Sequence, residues 1–204
     1  MNGRKTSRLP ANSYWFCAMG ARLRAFGSTG EDWRDQLRGP ESFAVHDQYC
    51  FIADTHNQAV KVFDWRDGSL VRVFGKLQDQ ESAVKVYPGL ASNDGYESYF
   101  EWGDSLYYYD DDRKGNEPGE FMCPAGIAVQ DGKIYVSEFR GRRIQVFRLP
   151  GDLRGSSDLE VLQIVDSLDG EELSGLCVED GGRLWCMGPL LNDPTYVHAF
   201  EPYV

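Results

Sequence analysis

Residues 124–147 read PAGIAVQDGKIYVSEFRGRRIQVF, and residues 40–63 read PESFAVHDQYCFIADTHNQAVKVF. The two stretches align over 24 positions without a gap, at an offset of 84. Pro40, Ala44, Val45, Asp47, Val62 and Phe63 recur as Pro124, Ala128, Val129, Asp131, Val146 and Phe147. Both stretches divide in the same way. A short apolar run, residues 43–45 or 127–129, suits a strand covered on both faces. Asp and Gly in the following turn, residues 46–48 or 130–132, tolerate the positive φ of a tight hairpin. A second apolar run, a polar turn and a third run alternating with period two come next. Residues 69–74 supply a fourth, more polar strand.

Working outward, residues 174–178, 184–186 and 197–200 answer 125–129, 134–136 and 144–147, with small insertions between them. Upstream, Trp15-Phe16 and residues 20–27 match Val62-Phe63 and residues 68–75, which is the outer half of a unit. A four-stranded unit recurring about every 42 residues, graded from apolar to polar, has the pattern of a β-propeller blade. The expected fold is therefore all-β: a propeller of about four blades, forming a partial or small ring. On this reading residues 1–13 are a basic tail and 14–27 a half-blade. Residues 39–75, 119–165 and 172–204 are blades, and 76–118 are either a degenerate blade or an insertion. Val45, Val129 and Val178 are expected at equivalent, nearly buried inner-strand positions.

The pattern P-x-G-I-A-V-x-D-G-x-I-Y-V, followed by an acid, a turn and R-I-Q-V-F, resembles the NHL repeat. Residues 124–147 resemble it closely, 40–63 well and 173–200 loosely. That resemblance implies a propeller in which loops of one face bind protein or RNA. Relatives usually close six blades, whereas 204 residues supply fewer than five at this spacing. A closed six-bladed ring is not expected from this chain alone. Ring closure through residues 22–26 beside 197–200, or completion by a partner, are the two alternatives. The strand at residues 14–17 is surplus to the first of these.

Residues 76–118 hold ten acids, four bases and eight aromatic residues. Residues 100–109 read as a hairpin turning at Gly103-Asp104. The run from Asp110 to Gly115 lacks calcium-loop spacing, because Lys114 and Phe121 fall where ligands are needed. The net charge of −11 opposes binding to nucleic acid and anionic lipid. No apolar run is long enough for a membrane span. Cys17, Cys50, Cys123, Cys177 and Cys186 include no C-x-x-C pair and read as reduced thiols, most of them in the core of an intracellular protein, cytoplasmic or organellar.

The candidate binding face carries His56, Asn57 and Gln58 from one blade and Arg140, Arg142 and Arg143 from another. Three arginines within four residues suit bidentate capture of phosphate or carboxylate. Asp54, Asn57, Glu138 and Gly141 are expected to be structural, with side-chain oxygens capping N–H groups of their own turns. His46, His56 and His198 fall in unlike parts of the repeat and are not expected to converge. No nucleophile or P-loop motif occurs. The sequence thus points to a non-catalytic protein-interaction or scaffold module, with no catalytic residue, metal or cofactor. An RNA-binding propeller and a small propeller hydrolase or lyase are the alternatives.

Overall fold

The computed structural model describes residues 14–18, 21–28, 36–75, 85–88, 99–102, 105–108, 117–155, 159–167, 170–188 and 197–201. The expected basic tail and the acidic run at 110–115 lie outside these residues. Among them no helix is long and apolar enough to cross a membrane.

All sheets are antiparallel. The first full blade is β3 (Pro40–His46), β4 (Tyr49–Asp54), β5 (Ala59–Asp64) and β6 (Ser69–Phe74) in sequential order. The second is β10 (Pro124–Gln130), β11 (Lys133–Glu138), β12 (Arg143–Arg148) and β13 (Val161–Asp166). A third sheet has three strands: β14 (Leu176–Val178), β15 (Leu184–Met187) and β16 (Val197–Phe200). The repeat extends to irregularities. The first two blades both bulge after the initial proline of the inner strand, and both bulge again between strands three and four, at Val62/Phe63 and Val146/Phe147. A bulge twists the sheet locally, so the two blades are twisted at the same places.

The N-terminal hairpin, β1 (Tyr14–Ala18) with β2 (Ala21–Phe26), is the outer half of such a blade. Its pairs Tyr14↔Phe26 and Phe16↔Arg24 repeat Val60↔Phe74 and Val62↔Arg72, with the bulge at the same place. Phe16 therefore answers Val62 rather than Phe63, one residue away from the sequence alignment, because the bulge absorbs the extra residue. Packing makes the same assignment. A Cβ on Gly27 would meet Leu37 at 2.9 Å, and one on Gly75 would meet Phe121 at 3.2 Å. Leu37 and Phe121 are themselves repeat equivalents. β2 pairs with β1, not with β16 as ring closure required.

The blades stack in one arc. Phe51, Ala53, Val60, Val62 and Phe74 of the first blade pack directly on Phe121, Ile127, Ile134, Val136 and Phe147 of the second, and β10 runs beside β3. Tyr135, Ile144 and Val146 on the far side of the second blade meet Leu184 and Cys186 of the third sheet and Leu173 of its entering loop. The other face of the first blade, with Cys50, Ile52 and Phe63, is covered by Phe26 and Leu37. Among the described residues no sheet stands between the first two blades. Residues 76–118 join β6 of the first blade to β10 of the second in sequence. Within them β7 (Lys85–Pro88), β9 (Ser105–Tyr108) and β8 (Tyr99–Trp102) form a separate three-stranded sheet in the order β7-β9-β8. β8 and β9 form the expected hairpin, with Trp102 opposite Ser105; Gly103 and Asp104 lie outside the described residues.

The three valines occupy equivalent register positions, opposite Cys50, Ile134 and Leu184. Their burial is not equivalent. Val129 and Val178 are half-buried against the preceding blade, whereas Val45 is 52% exposed. Phe43 is 54% exposed while its counterpart Ile127 is 3% exposed. The register is intact; what differs is the neighbour. Among the described residues the hairpin covers only the outer part of the first blade, through Phe26 and Leu37 on Cys50, Ile52 and Phe63. At the other end of the arc Met187 is 41% and Val197 63% exposed, with Cys177 exposed beside them. These residues line the face that a following blade would cover. Cys177 thus departs from the core position expected for most of the thiols, whereas Cys50, Cys123 and Cys186 are buried.

Candidate functional site

Each blade carries a buried polar clasp where the second strand ends. In the first, Asp54 is fully buried and accepts a hydrogen bond from Arg38 N at 2.6 Å. Lys61 on the adjacent strand, also fully buried, lies 2.8 Å from the Asp54 carboxylate and donates to the Gln36 carbonyl. Asn57 Nδ2 donates to Asp54 at 2.7 Å and to Gln36 O at 3.0 Å. The chain entering the blade is thereby fastened to the strand end. Asp54 makes no side-chain cap to its own turn, so the expected role is corrected. The carboxylate reaches back 16 residues to Arg38 N instead, and Gln58 supplies the turn's left-handed residue, with φ of 52°.

The second blade repeats this with other side chains. Glu138 accepts from Met122 N at 2.7 Å, from Gln145 Nε2 at 2.6 Å and from Arg143 Nε at 2.8 Å. Gln145 stands where Lys61 stands and donates to the Glu120 carbonyl at 2.6 Å, as Lys61 does to Gln36. Burial raises both carboxyls above the ordinary range, and the neighbouring cation opposes that shift. In the third sheet the position of the acid is Gly188, and His198 replaces Lys61. There the carboxylate comes from the entering loop, with Glu171 2.8 Å from His198. A Cβ at Gly188 would sit 2.8 Å from His198 Nε2, so the glycine makes room for that exchange.

The loop residues offered by the sequence as a binding face lie along the seams between blades. Gln58 accepts from Cys123 N, and Thr55 Oγ1 donates to Pro124 O at 2.8 Å, both across the first seam. Asn57 is buried in the first clasp. His56 lies over Gly39, whose φ of +56° and lack of Cβ admit the ring; a Cβ would sit 2.5 Å from Nδ1. Burial first, and then the Arg38 charge, lower the His56 pKa to about 4. Arg143 is buried with Glu138, and Arg140 pairs with Glu172, in the loop entering the third sheet, at 3.0 Å. Arg142 remains exposed, and Gly141 packs on the Glu138 carboxylate. A three-arginine clamp is therefore not assembled. The partners of Arg140 and Arg143 are acids beyond their own turn or at its edge, which residue spacing alone did not reveal.

His46 lies at the end of β3, His56 in the turn after β4 and His198 in β16. Among the described residues no three His, Cys, Asp or Glu side chains are grouped to hold a metal ion. A cleft of about 360 Å³ opens between the second blade and the third sheet. Asp131, Lys133, Tyr135, Gln163 and Glu201 are among the residues lining it. It lies where neighbouring sheets diverge, as blades do toward their outer strands.

Residues 121–147 match the family model of the NHL repeat. No curated protein matches the chain. Similar solved structures include quinohemoprotein alcohol dehydrogenase from Comamonas testosteroni, at 13% identity and TM-score 0.46, covering 81% of this chain and 20% of that one. Glutaminyl cyclase from Myxococcus xanthus follows at 12% identity and TM-score 0.44, covering 89% and 61%. BamB from Moraxella catarrhalis matches at 19% identity and TM-score 0.29, covering 82% and 46%. The chain spans about a fifth and three fifths of the lengths of the first two. Likenesses at this level carry no functional assignment. The repeat match and the sheets described above agree on one point: residues 121–147 are an NHL repeat, and the sheets around it are blades of an open β-propeller arc.

Proposed function

We propose that this chain is a non-catalytic protein-interaction module, a structural subunit of a larger assembly. The observation that carries this reading is the last face of the arc. On the third sheet, Cys177, Met187 and Val197 sit at the positions whose counterparts on the first two blades are covered by the next blade. An exposed, repeat-equivalent apolar face is a ready surface for another protein. The polar groups of the loop face support the same reading, because clasps and seams use most of them for positioning. RNA capture through the arginines is disfavoured by the engagement of Arg140 and Arg143 and by the net charge of −11.

The test is to replace Met187 and Val197 together by Glu and to measure, by light scattering, the mass of the assembly recovered with the full chain. The mass is expected to fall to that of the single chain, 23.1 kDa. An assembly unchanged by both substitutions, or a wild-type chain recovered as a stable monomer, contradicts the reading.

A further inference from the structure

The cleft between the second blade and the third sheet is bordered by polar groups that the fold does not use. At the core position that Phe51 fills on the first blade, the second blade has Tyr135, 4% exposed. The repeat therefore requires the ring and not the hydroxyl. Among the described residues that hydroxyl has no hydrogen-bond partner, and it borders the cleft instead of being sealed in the core. Val146 lies opposite Tyr135 and Gln163 opposite Val146, so the three side chains share one face across β11, β12 and β13. The Gln163 amide is likewise without a partner among the described residues. On the first blade the same row is Phe51, Val62 and Arg72, and there Arg72 lies over the Phe74 ring. The second blade leaves a hydroxyl and an amide beside a cleft of about 360 Å³, a volume within the range of small-molecule sites.

We infer that this cleft binds a neutral, multiply hydroxylated small molecule of the sugar class. This goes beyond the interaction role and does not depend on it. The lining selects the ligand by elimination. Val146, Val165 and Leu184 give apolar walls for the C–H face of a ring. Tyr135 and Gln163 can each donate and accept. Burial first, and then the Asp131 charge, raise the Tyr135 pKa, so its hydroxyl stays neutral. An apolar ligand would leave both groups dry and unbonded, which is costly. A cation would meet Lys133, and an anion would meet Asp131 and Glu201 in a chain of net charge −11. The two acids are exposed at the rim, and Glu201 is paired with Arg183 at 3.2 Å. The most buried polar group is thus uncharged, and sugar hydroxyls, each a donor and an acceptor, satisfy it and Gln163 together.

The probes are glucose, galactose, mannose, N-acetylglucosamine, maltose, cellobiose and lactose, titrated to millimolar concentration into the full chain and followed by amide chemical shifts. Parallel titrations use sodium acetate, methylammonium chloride and alanine. The expected result is saturable binding of at least one sugar, with shifts centred on residues 131–135, 163–165 and 181–184. Tyr135→Phe restores the residue type of the first blade and removes only the hydroxyl. It should weaken sugar binding at least about ten-fold, the loss of one hydrogen bond, and keep the wild-type melting temperature. Gln163→Ala should weaken binding as well. No sugar binding, shifts centred elsewhere, or binding unchanged in Tyr135→Phe overturns the inference. A melting temperature lowered by Tyr135→Phe would assign the hydroxyl to the fold and overturn it too. Tighter binding of acetate, methylammonium or alanine than of every sugar would replace the neutral ligand by a charged one, which also sinks it. None of these outcomes bears on the mass of the assembly that tests the interaction role.

Discussion

The first and second blades fasten their entering chains to the same backbone atoms with different side chains. In the first, one lysine neutralises Asp54 and also reaches the Gln36 carbonyl. In the second two side chains share these tasks. Gln145 and Arg143 both donate to the Glu120 carbonyl, and Arg143, at the position of Ala59, brings the charge to Glu138. What persists between the blades is a compensated carboxylate bonded to a fixed backbone N–H; the residue that compensates it is interchangeable. A buried charge stripped of its partner is strongly destabilising, which is why one position changes only where another answers it. The third sheet goes further and takes the carboxylate from the entering loop, with Gly188 left small beneath it.

The comparison breaks most readily at Lys61. Lys61→Met leaves Asp54 buried without its cation and should cost about 3–5 kcal/mol in denaturant unfolding. Arg143→Met should cost about 2–3 kcal/mol, since Gln145 and Met122 N still serve Glu138. Lys61→Gln combined with Ala59→Arg transplants the second blade's arrangement and should recover part of the loss. No recovery would mean that the two clasps are not equivalent.

The two blades also differ in pH response, because His56 of the first has Arg140 as its counterpart in the second. The folded state lowers the His56 pKa from 6.5 to about 4. As pH falls through that window the unfolded chain binds a proton that the folded chain resists, so stability declines with acidification. The loss should reach up to about 3 kcal/mol at pH 4. His56→Gln should flatten this part of the stability profile. An unchanged profile would contradict the burial of a neutral ring over Gly39.

Inner-strand packing sharpens the contrast further. Ile127→Ala, in the shared core, should cost about 2–3 kcal/mol, whereas Phe43→Ala at the equivalent position should cost less than about 1 kcal/mol. Equal costs would mean that the first blade's inner face is covered in solution.

The blades were legible in the sequence because period-two apolar alternation and Asp-Gly turns are local signals, and a repeat multiplies them. Even the loose third copy kept its register, with Val178 opposite Leu184 as Val129 is opposite Ile134. The burial of Val45 was not legible, because it depends on which strands lie beside β3 and not on β3 itself. The clasps were half legible. Asp54 and Glu138 stood out as structural acids, but their donors Arg38 N and Met122 N lie 16 residues upstream, in loops without a pattern of their own. The offset of 84 suggested a blade between the clear copies as readily as an insertion. Spacing counts residues, and only contact between Phe51 and Ile127 in one core places the two blades side by side.

That adjacency is the central claim, and spin labels at Val45 and Val129 test it most directly. If the first and second blades are neighbours, the two inner strands lie no more than one sheet spacing apart, within about 10 Å, and the labels should show strong dipolar broadening. A blade formed by residues 76–118 between them would add a second spacing, and a separation of about 20 Å or more would contradict the account.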